Sequence, residues 1–296
     1  MQKIITRIKG GLGNQLFCYA AARRLALVNQ AELVIDDVTG FLRDRQYRRQ
    51  YALDRFQISV RKATPSERLE PFERYRRGLQ KWLSRRKPFE ERQYLEQEGN
   101  DFDPRLLDFK LKGEVYIDGL WQSEGYFRDV ESTIREDLRI IPPTDPVNLA
   151  VAEQIRESVS VAVHVRWFDA PGSEKSQQNA AVDYYQQSIA LIDQQVPEAH
   201  YFLFSDDPVA ARERMPLPTQ RVTTVSHNRG DEMAYADLWL MTQCQHFITA
   251  NSTFSWWGAW LGEKHDSLVI TPDPNTLNPE NAWCAKGLIP SRWLKL

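Results

Sequence analysis

The chain has 296 residues, enough for two ordinary domains whose cores need no covalent staples. Its formal net charge is −2 and its pI about 6.3, so no overall basic field marks a nucleic-acid binder. Cys18, Cys244 and Cys284 have no C-x-x-C spacing, which argues against a disulfide framework or a cysteine-based zinc site.

Neither an apolar signal region nor a run of about 18 apolar residues is visible, so a cytoplasmic location is expected. Ile4 to Ile8 reads as a first strand. Lys9-Gly10-Gly11-Leu12-Gly13-Asn14-Gln15-Leu16-Phe17 follows and leads into the helix-favouring stretch Cys18 to Val28. A glycine turn between strand and helix lets backbone amides approach an anion or a sugar. Gly11 and Gly13 fit the first two glycines of the dinucleotide fingerprint, but Leu16 stands at the third. Asn14 and Gln15 are neutral amides that donate and accept, as recognition of hydroxyls requires; Asn14 also suits a helix cap. Ala31 to Asp36 completes a β-α-β start.

Residues 40 to 100 differ in character. Cations between Arg74 and Lys87 interleave with Phe72, Tyr75, Leu79, Trp82 and Leu83. The pattern predicts a basic amphipathic helix over 72–87. It suits peripheral contact with an anionic membrane surface, or a solvated helix packed through its aromatic face; Glu67, Glu70, Glu73, Glu90 and Glu91 dilute the charge. Val115 to Gln122 reads as another strand, followed by a helix through Leu138. Pro142, Pro143 and Pro146 exclude regular structure and mark a boundary between domains over 1–145 and 146–296.

A helix over 147–157 leads into Val161-Ala162-Val163-His164-Val165-Arg166-Trp167-Phe168-Asp169. The first half has the pattern of a buried strand. The second half carries an imidazole, a guanidinium and a carboxylate, costly to desolvate unless they bind a ligand or one another. A strand ending in such a cluster is where an α/β protein places a ligand, and the Arg166 fork fits a phosphate or carboxylate. The alternative is a structural pair between Arg166 and Asp169, with His164 packed in the core. Beyond it come a helix over Tyr184 to Gln194 and a strand over His200 to Phe204. That strand ends in Ser205-Asp206-Asp207-Pro208, where one aspartate suits a helix cap. A strand over Thr223 to His227 precedes the helix Asp231 to Gln243, which sets Asp237 amid apolar neighbours. Phe247 to Ala250 then turns into a helix through Asn251-Ser252-Thr253-Phe254-Ser255-Trp256-Trp257-Gly258. Those hydroxyls and the amides of the helix start make a neutral anion cradle. Val269 to Thr271 is the last predicted strand.

Three of these stretches occur in the order and spacing of one family: residues 10–17, His164-Val165-Arg166 with Asp169, and residues 251–258. On them the chain resembles the inverting α-1,2-fucosyltransferases of glycosyltransferase family eleven over nearly its whole length. The resemblance implies an α/β, GT-B-type architecture of two Rossmann-like domains facing a cleft, the N-terminal one on the acceptor side. It implies GDP-fucose as donor, a galactose-terminated oligosaccharide as acceptor, inversion, and no metal or other cofactor. The family pattern is His-x-Arg-Arg-x-Asp. Here Trp167 replaces the second arginine and Phe168 stands where glycine is common, so only His164, Arg166 and Asp169 are carried over. An aromatic there suits packing on a sugar face.

Under this resemblance Arg166, Ser252 and Thr253 neutralise the leaving diphosphate, with Asn251 beside them. Asp237 and His164 hold the guanine, and Ser205 and Asp206 add donor contacts. Asp169 or Glu174 is the base, and Asn14 lies near the diphosphate or the acceptor. Three rival readings stay open: an α-1,6- or protein-directed fucosyltransferase, a non-catalytic sugar-binding module suggested by the nine tryptophans, and a dinucleotide-dependent oxidoreductase.

Overall fold

The computed structural model describes residues 2–45, 47–168, 178–278 and 281–296. The chain forms two compact units, Met1–Ile140 with Ala285–Ile289, and Ile141–Cys284 with Pro290–Leu296. The division falls at Ile140 rather than at Asp145. The proline segment belongs to the second unit because Asp145 caps that unit's first helix and Pro146 fills its first turn, positions both residues favour.

The first unit contains β1 (Lys3–Arg7), α1 (Leu12–Val28), β2 (Glu32–Asp36), β3 (Arg61–Lys62), α2 (Glu73–Arg85), β4 (Tyr94–Glu96), β5 (Glu114–Asp118) and α3 (Glu131–Asp137). Its sheet is parallel, in the order β3-β2-β1-β5-β4. Central β1 buries Ile4 and Ile5 on its two faces, the continuous apolar run a covered parallel strand needs. Helix α1 starts at Leu12, well ahead of Cys18, so Asn14 and Gln15 lie in its first turn. Gly11 is its N-cap, not Asn14. Gly10 makes the turn at φ +79°, and a Cβ there would meet Asn14 Nδ2 at 2.8 Å.

Two carboxylates are buried at the C-terminal ends of this sheet. Asp36 accepts from Tyr116 and from Thr39. Burial pushes Asp118 up, but the charges of Lys9 and Arg7 outweigh it and hold the carboxyl well below the usual range. Helix α2 docks on this edge through its polar side. Lys81 Nζ lies 2.7 Å from Glu96 and 3.1 Å from Asp118, and Ser84 Oγ accepts from Tyr94 N at 3.1 Å. The reading of a helix packed through its aromatic face is thereby overturned: these contacts fix the opposite face, and the aromatic one is exposed.

The second unit contains α4 (Pro146–Glu157), β6 (Val159–Val165), α5 (Val182–Gln195), β7 (Ala199–Ser205), α6 (Pro208–Arg214), β8 (Val222–Thr224), α7 (Ala234–Gln243), β9 (His246–Ile248), α8 (Thr253–Gly262), β10 (Val269–Thr271) and β11 (Leu294–Lys295). This sheet is also parallel, in the order β11-β10-β9-β6-β7-β8. Counted from β6, that is the doubly wound nucleotide-binding order, which reverses direction between β6 and β9. Ligands of such sheets bind outside the strand ends at that reversal. Val161, Val163 and Val165 pack with Tyr201, Leu203 and Ile189 in one core cluster. Tyr184 Oη lies 2.7 Å from the Thr249 carbonyl and 3.1 Å from that of Ile270, and Tyr185 Oη donates to the His164 carbonyl at 3.0 Å. The two tyrosines tie the ends of β6, β9 and β10 to α5. Among the described residues, no helix is long and apolar enough to cross a membrane.

Candidate active site

Strands β6 and β7 end side by side, with Val165 paired to Ser205. The next residues, Arg166 and Asp206, therefore leave the sheet at the same height. Arg166 Nη1 lies 2.9 Å from Asp206 Oδ2, and Trp167 N donates to Asp206 Oδ1 at 3.1 Å. One carboxylate thus fixes both the guanidinium and the loop that carries it. The guanidinium also lies over the Phe168 ring, 5.5 Å from its centroid. Among the described residues, the carboxylate that pairs with Arg166 is Asp206. Asp169 and Glu174, the two candidate bases, lie outside the described residues.

Of the two aromatics that depart from the family pattern, Trp167 packs against the core cluster of this unit, while Phe168 is exposed. Ser205 Oγ accepts from Asp207 N at 3.1 Å, and Asp207 is the aspartate that caps α6.

His164 faces the other side of β6, toward α8. Its ring packs against Phe254 at 5.3 Å between centroids. Burial, reinforced by the charge of Arg166, pushes its pKa down to about 3, so the imidazole is neutral. Its Nδ1 is buried without a partner among the described residues. The ring contact brings the start of α8 beside the end of β6. Ser252 caps that helix, its Oγ accepting from Phe254 N at 3.3 Å. Ser255 is not part of the cradle: it is buried, and its Oγ accepts from Ala250 N at 3.2 Å. Asn251 precedes the Ser252 cap. Its Nδ2 donates to the Gln178 carbonyl at 2.7 Å, and its buried Oδ1 has no partner among the described residues. An amide oxygen accepts only, so it suits a hydroxyl or N–H of a ligand and not a phosphate oxygen.

Asp237 lies in a separate polar cluster between α7 and α4. Asn228 Nδ2 donates to Asp237 Oδ1 at 2.8 Å and to Asn148 Oδ1 at 2.9 Å; Asn148 Nδ2 in turn donates to Asn228 Oδ1 at 2.9 Å. Burial pushes the Asp237 carboxyl up to about 7, against the opposing effect of Asn228. Asn14 belongs to the first unit, where its Oδ1 accepts from Gln122 Nε2 at 2.8 Å. Gln15 is engaged within the first unit. Its Nε2 donates to the Gly10 and Gln50 carbonyls at 3.0 and 2.8 Å, and its Oε1 accepts from Ala52 N at 2.9 Å, so the amide pins a loop. Among the described residues, no group of three or more His, Cys, Asp or Glu could hold a metal ion.

A family model described as Glycosyl transferase family 11 matches residues 3–282. The chain belongs to this family. It is a glycosyltransferase, and its His164-x-Arg166 strand end and 251–258 turn lie inside the matched region. The family 11 chain is 28% identical over 284 residues to the alpha-1,2-colitosyltransferase of Escherichia coli, covering 93% of this chain and 92% of the relative. It is 29% identical over 287 residues to the O-antigen biosynthesis glycosyltransferase WbnK of Escherichia coli, covering 90% and 92%. Among solved structures, a mutant of Arabidopsis thaliana FUT1 in complex with GDP matches with a TM-score of 0.53 at 14% identity, covering 94% of this chain and 72% of that one. That likeness concerns the fold, the GT-B type of two parallel-sheet α/β domains.

Sequence reasoning missed several residues that shape the site. Tyr184 and Tyr185 read only as helix residues, and Phe254 as filler in a polar motif. The Asn148–Asn228 pair joins residues far apart in the chain, and no local spacing announces it.

Proposed function

We propose that this family 11 enzyme transfers L-fucose from GDP-fucose to the 2-hydroxyl of a terminal galactoside, with inversion and without a metal. The observation that carries the reading is the Arg166–Asp206 pair beside the start of α8, at the strand ends where the sheet order reverses. A leaving GDP concentrates negative charge on the phosphate that parts from the sugar. A held guanidinium fork and the N–H groups of a helix start are matched to that charge. Neutral His164 adds no second charge nearby, and its unpartnered Nδ1, with Asn251 Oδ1, suits neutral polar groups of the donor. Asp237 fits the guanine, whose N1–H and exocyclic amine both donate to one carboxylate. In a single displacement the acceptor hydroxyl attacks the anomeric carbon opposite the diphosphate, and a carboxylate takes its proton. Asp169 and Glu174 are the candidates for that role, on the resemblance alone.

The 1,2 linkage draws support from the name of the colitosyltransferase relative. The same relative favours one second reading, in which the donor sugar is colitose, L-fucose without its 3-hydroxyl. A thermal-shift comparison of GDP, GDP-fucose, GDP-colitose and UDP, with EDTA present, tests donor and metal together. Stabilisation by the guanine nucleotides alone is expected. Product analysis by NMR then reads linkage and anomeric configuration. No response to guanine nucleotides, or a linkage other than 1,2, would overturn the proposal.

A further inference from the structure

Five exposed large apolar side chains crowd between Phe72 and Leu83: Phe72, Tyr75, Leu79, Trp82 and Leu83. Phe72 and Tyr75 are 71% and 73% exposed. The four that lie in α2, Tyr75, Leu79, Trp82 and Leu83, fall within an arc of roughly 100°, and Phe72 precedes them as the N-cap. Arg77, Lys81 and Ser84 fall on the opposite side, and these meet the protein. Arg77 and Ser84 are buried, and Lys81 bridges Glu96 and Asp118. Helix α2 is thus inverted relative to an ordinary surface helix, with its polar face docked and its apolar face outward.

Cations border the apolar ridge. Arg76 lies along one flank and Lys87 follows the helix end, while Arg74 and Arg85 lie toward the docked side, Arg85 2.6 Å from Glu96. The Arg86 guanidinium sits over the Trp82 ring, 3.3 Å from its centroid. Among the described residues, Arg74, Arg76, Arg86 and Lys87 are in no ion pair. Of the nearby acids, Glu67 pairs with Lys3 and Arg61, each at 2.7 Å, and Glu70 pairs with Arg68 at 2.8 Å, while Glu73, Glu90 and Glu91 are in no ion pair among the described residues. Phe72 itself has φ +67°, a strained value for a bulky residue, while its ring stays in solvent.

We propose that α2 is a docking surface for an anionic lipid bilayer. The ridge enters the boundary between headgroups and acyl chains, and the flanking cations meet lipid phosphates. Charge complementarity selects this occupant over a second copy of the chain, since pairing two ridges would bring both sets of cations together. The surface is rigidly placed, because Lys81 ties α2 to Asp118 at the C-terminal end of β5.

The test is co-sedimentation of the full chain with vesicles of phosphatidylethanolamine and phosphatidylglycerol, against phosphatidylcholine alone. Binding to the anionic vesicles at low salt, weakened by salt, is expected. Each of R74Q, R86Q and K87Q should lower the partition coefficient about fivefold, and L79S/W82S should lower it more than tenfold. Trp82 is the most exposed tryptophan, so brominated lipid should quench a fluorescence component that W82F lacks. Circular dichroism melting checks the fold; should L79S/W82S not fold, the charge variants carry the test. Absence of binding to anionic vesicles at low salt overturns the proposal, as does binding unchanged in every variant. Self-association that L79S/W82S abolishes, with vesicles left unbound, would assign the ridge to a second copy instead.

Discussion

Asp237 and His164 are both desolvated in the second unit, and burial moves them in opposite senses. The acid rises to about 7 and the imidazole falls to about 3. Their effects on stability are opposite too. The folded value of Asp237 lies above its unfolded value, so its contribution is full below about pH 4 and is lost as pH rises through 7. The folded value of His164 lies below its unfolded value, so its contribution is present above about pH 6.5 and is lost as pH falls toward 3. Between those limits the two offset one another. D237N removes only the first term. Relative to the parent it should therefore be more stable at pH 8 than at pH 5, and it should lose stability more steeply in acid. Melting temperatures across that range check this, and parallel curves would refute the raised pKa. If Asp237 takes guanine as a carboxylate, GDP affinity should fall about tenfold per pH unit below 7 in the parent and stay flat in D237N. Calorimetry in buffers of different ionisation enthalpy would read the proton released. Arg166 sets a second expectation. R166A should weaken GDP at least tenfold, since a charge-assisted hydrogen bond contributes about 1.5–3 kcal/mol, and should lower kcat about a hundredfold or more. R166K should restore part of the affinity but not the fork geometry. An unchanged GDP Kd in R166A would remove Arg166 from the donor site.

At the scale of elements, the site depends on how strand ends are held. Asp206 carries the loop after β6, Tyr185 the end of β6 itself, and Ser252 the first turn of α8. S252A loses a cap worth about 1 kcal/mol. S252G keeps most of the helix stability, because glycine is tolerated at that position. Both lack the hydroxyl proposed to face the diphosphate. Denaturant titration with and without GDP separates the two roles. If the hydroxyl binds donor, S252G should lose GDP stabilisation while keeping its stability in the absence of nucleotide; if it only caps, S252G should behave like the parent. The inner strands β1, β2, β5, β6, β7, β9 and β10 were legible in the sequence because covered parallel strands write themselves as apolar, β-branched runs, whereas the short strands β3 and β4 were not. Less legible was where a helix begins. The start of α1 at Leu12 was hidden by Gly13, a poor helix former inside the first turn. The orientation of α2 could not be read either. Periodicity reveals an apolar stripe but not whether a buried carboxylate elsewhere, here Asp118, will recruit the opposite face.

At the scale of the whole chain, the two-unit plan was legible from the proline-rich segment and from a β-α rhythm repeated in each half. The path of the C-terminus was not, since it rests on contacts between residues remote in sequence. Ala285–Ile289 returns to the first unit, where the Lys286 carbonyl accepts from Phe102 N at 2.8 Å and the Gly287 carbonyl from Ser123 Oγ at 2.6 Å. Leu288 is buried there as well. The chain then rejoins the second unit. Its last strand, β11, adds to the sheet edge, and Trp293 packs on Trp256 at 5.4 Å between centroids. A strand of two residues carries no periodicity, so β11 had no signal to find. The arrangement makes the tail a staple with separable halves. Removing residues 290–296 should strip β11 and a buried tryptophan from the second unit, a loss of about 3–5 kcal/mol for the ring alone, and leave the first unit intact. Removing residues 285–296 should also open the first unit around Phe102 and Ser123. Hydrogen exchange read by mass spectrometry distinguishes the two outcomes. With the shorter deletion, peptides of β6 and β9 lose protection while those of β1 and β5 keep it; with the longer one, the segment around 102–123 loses protection too. Equal loss across both units in the shorter deletion would mean that the halves do not unfold as separate structures and that the tail stabilises one cooperative whole.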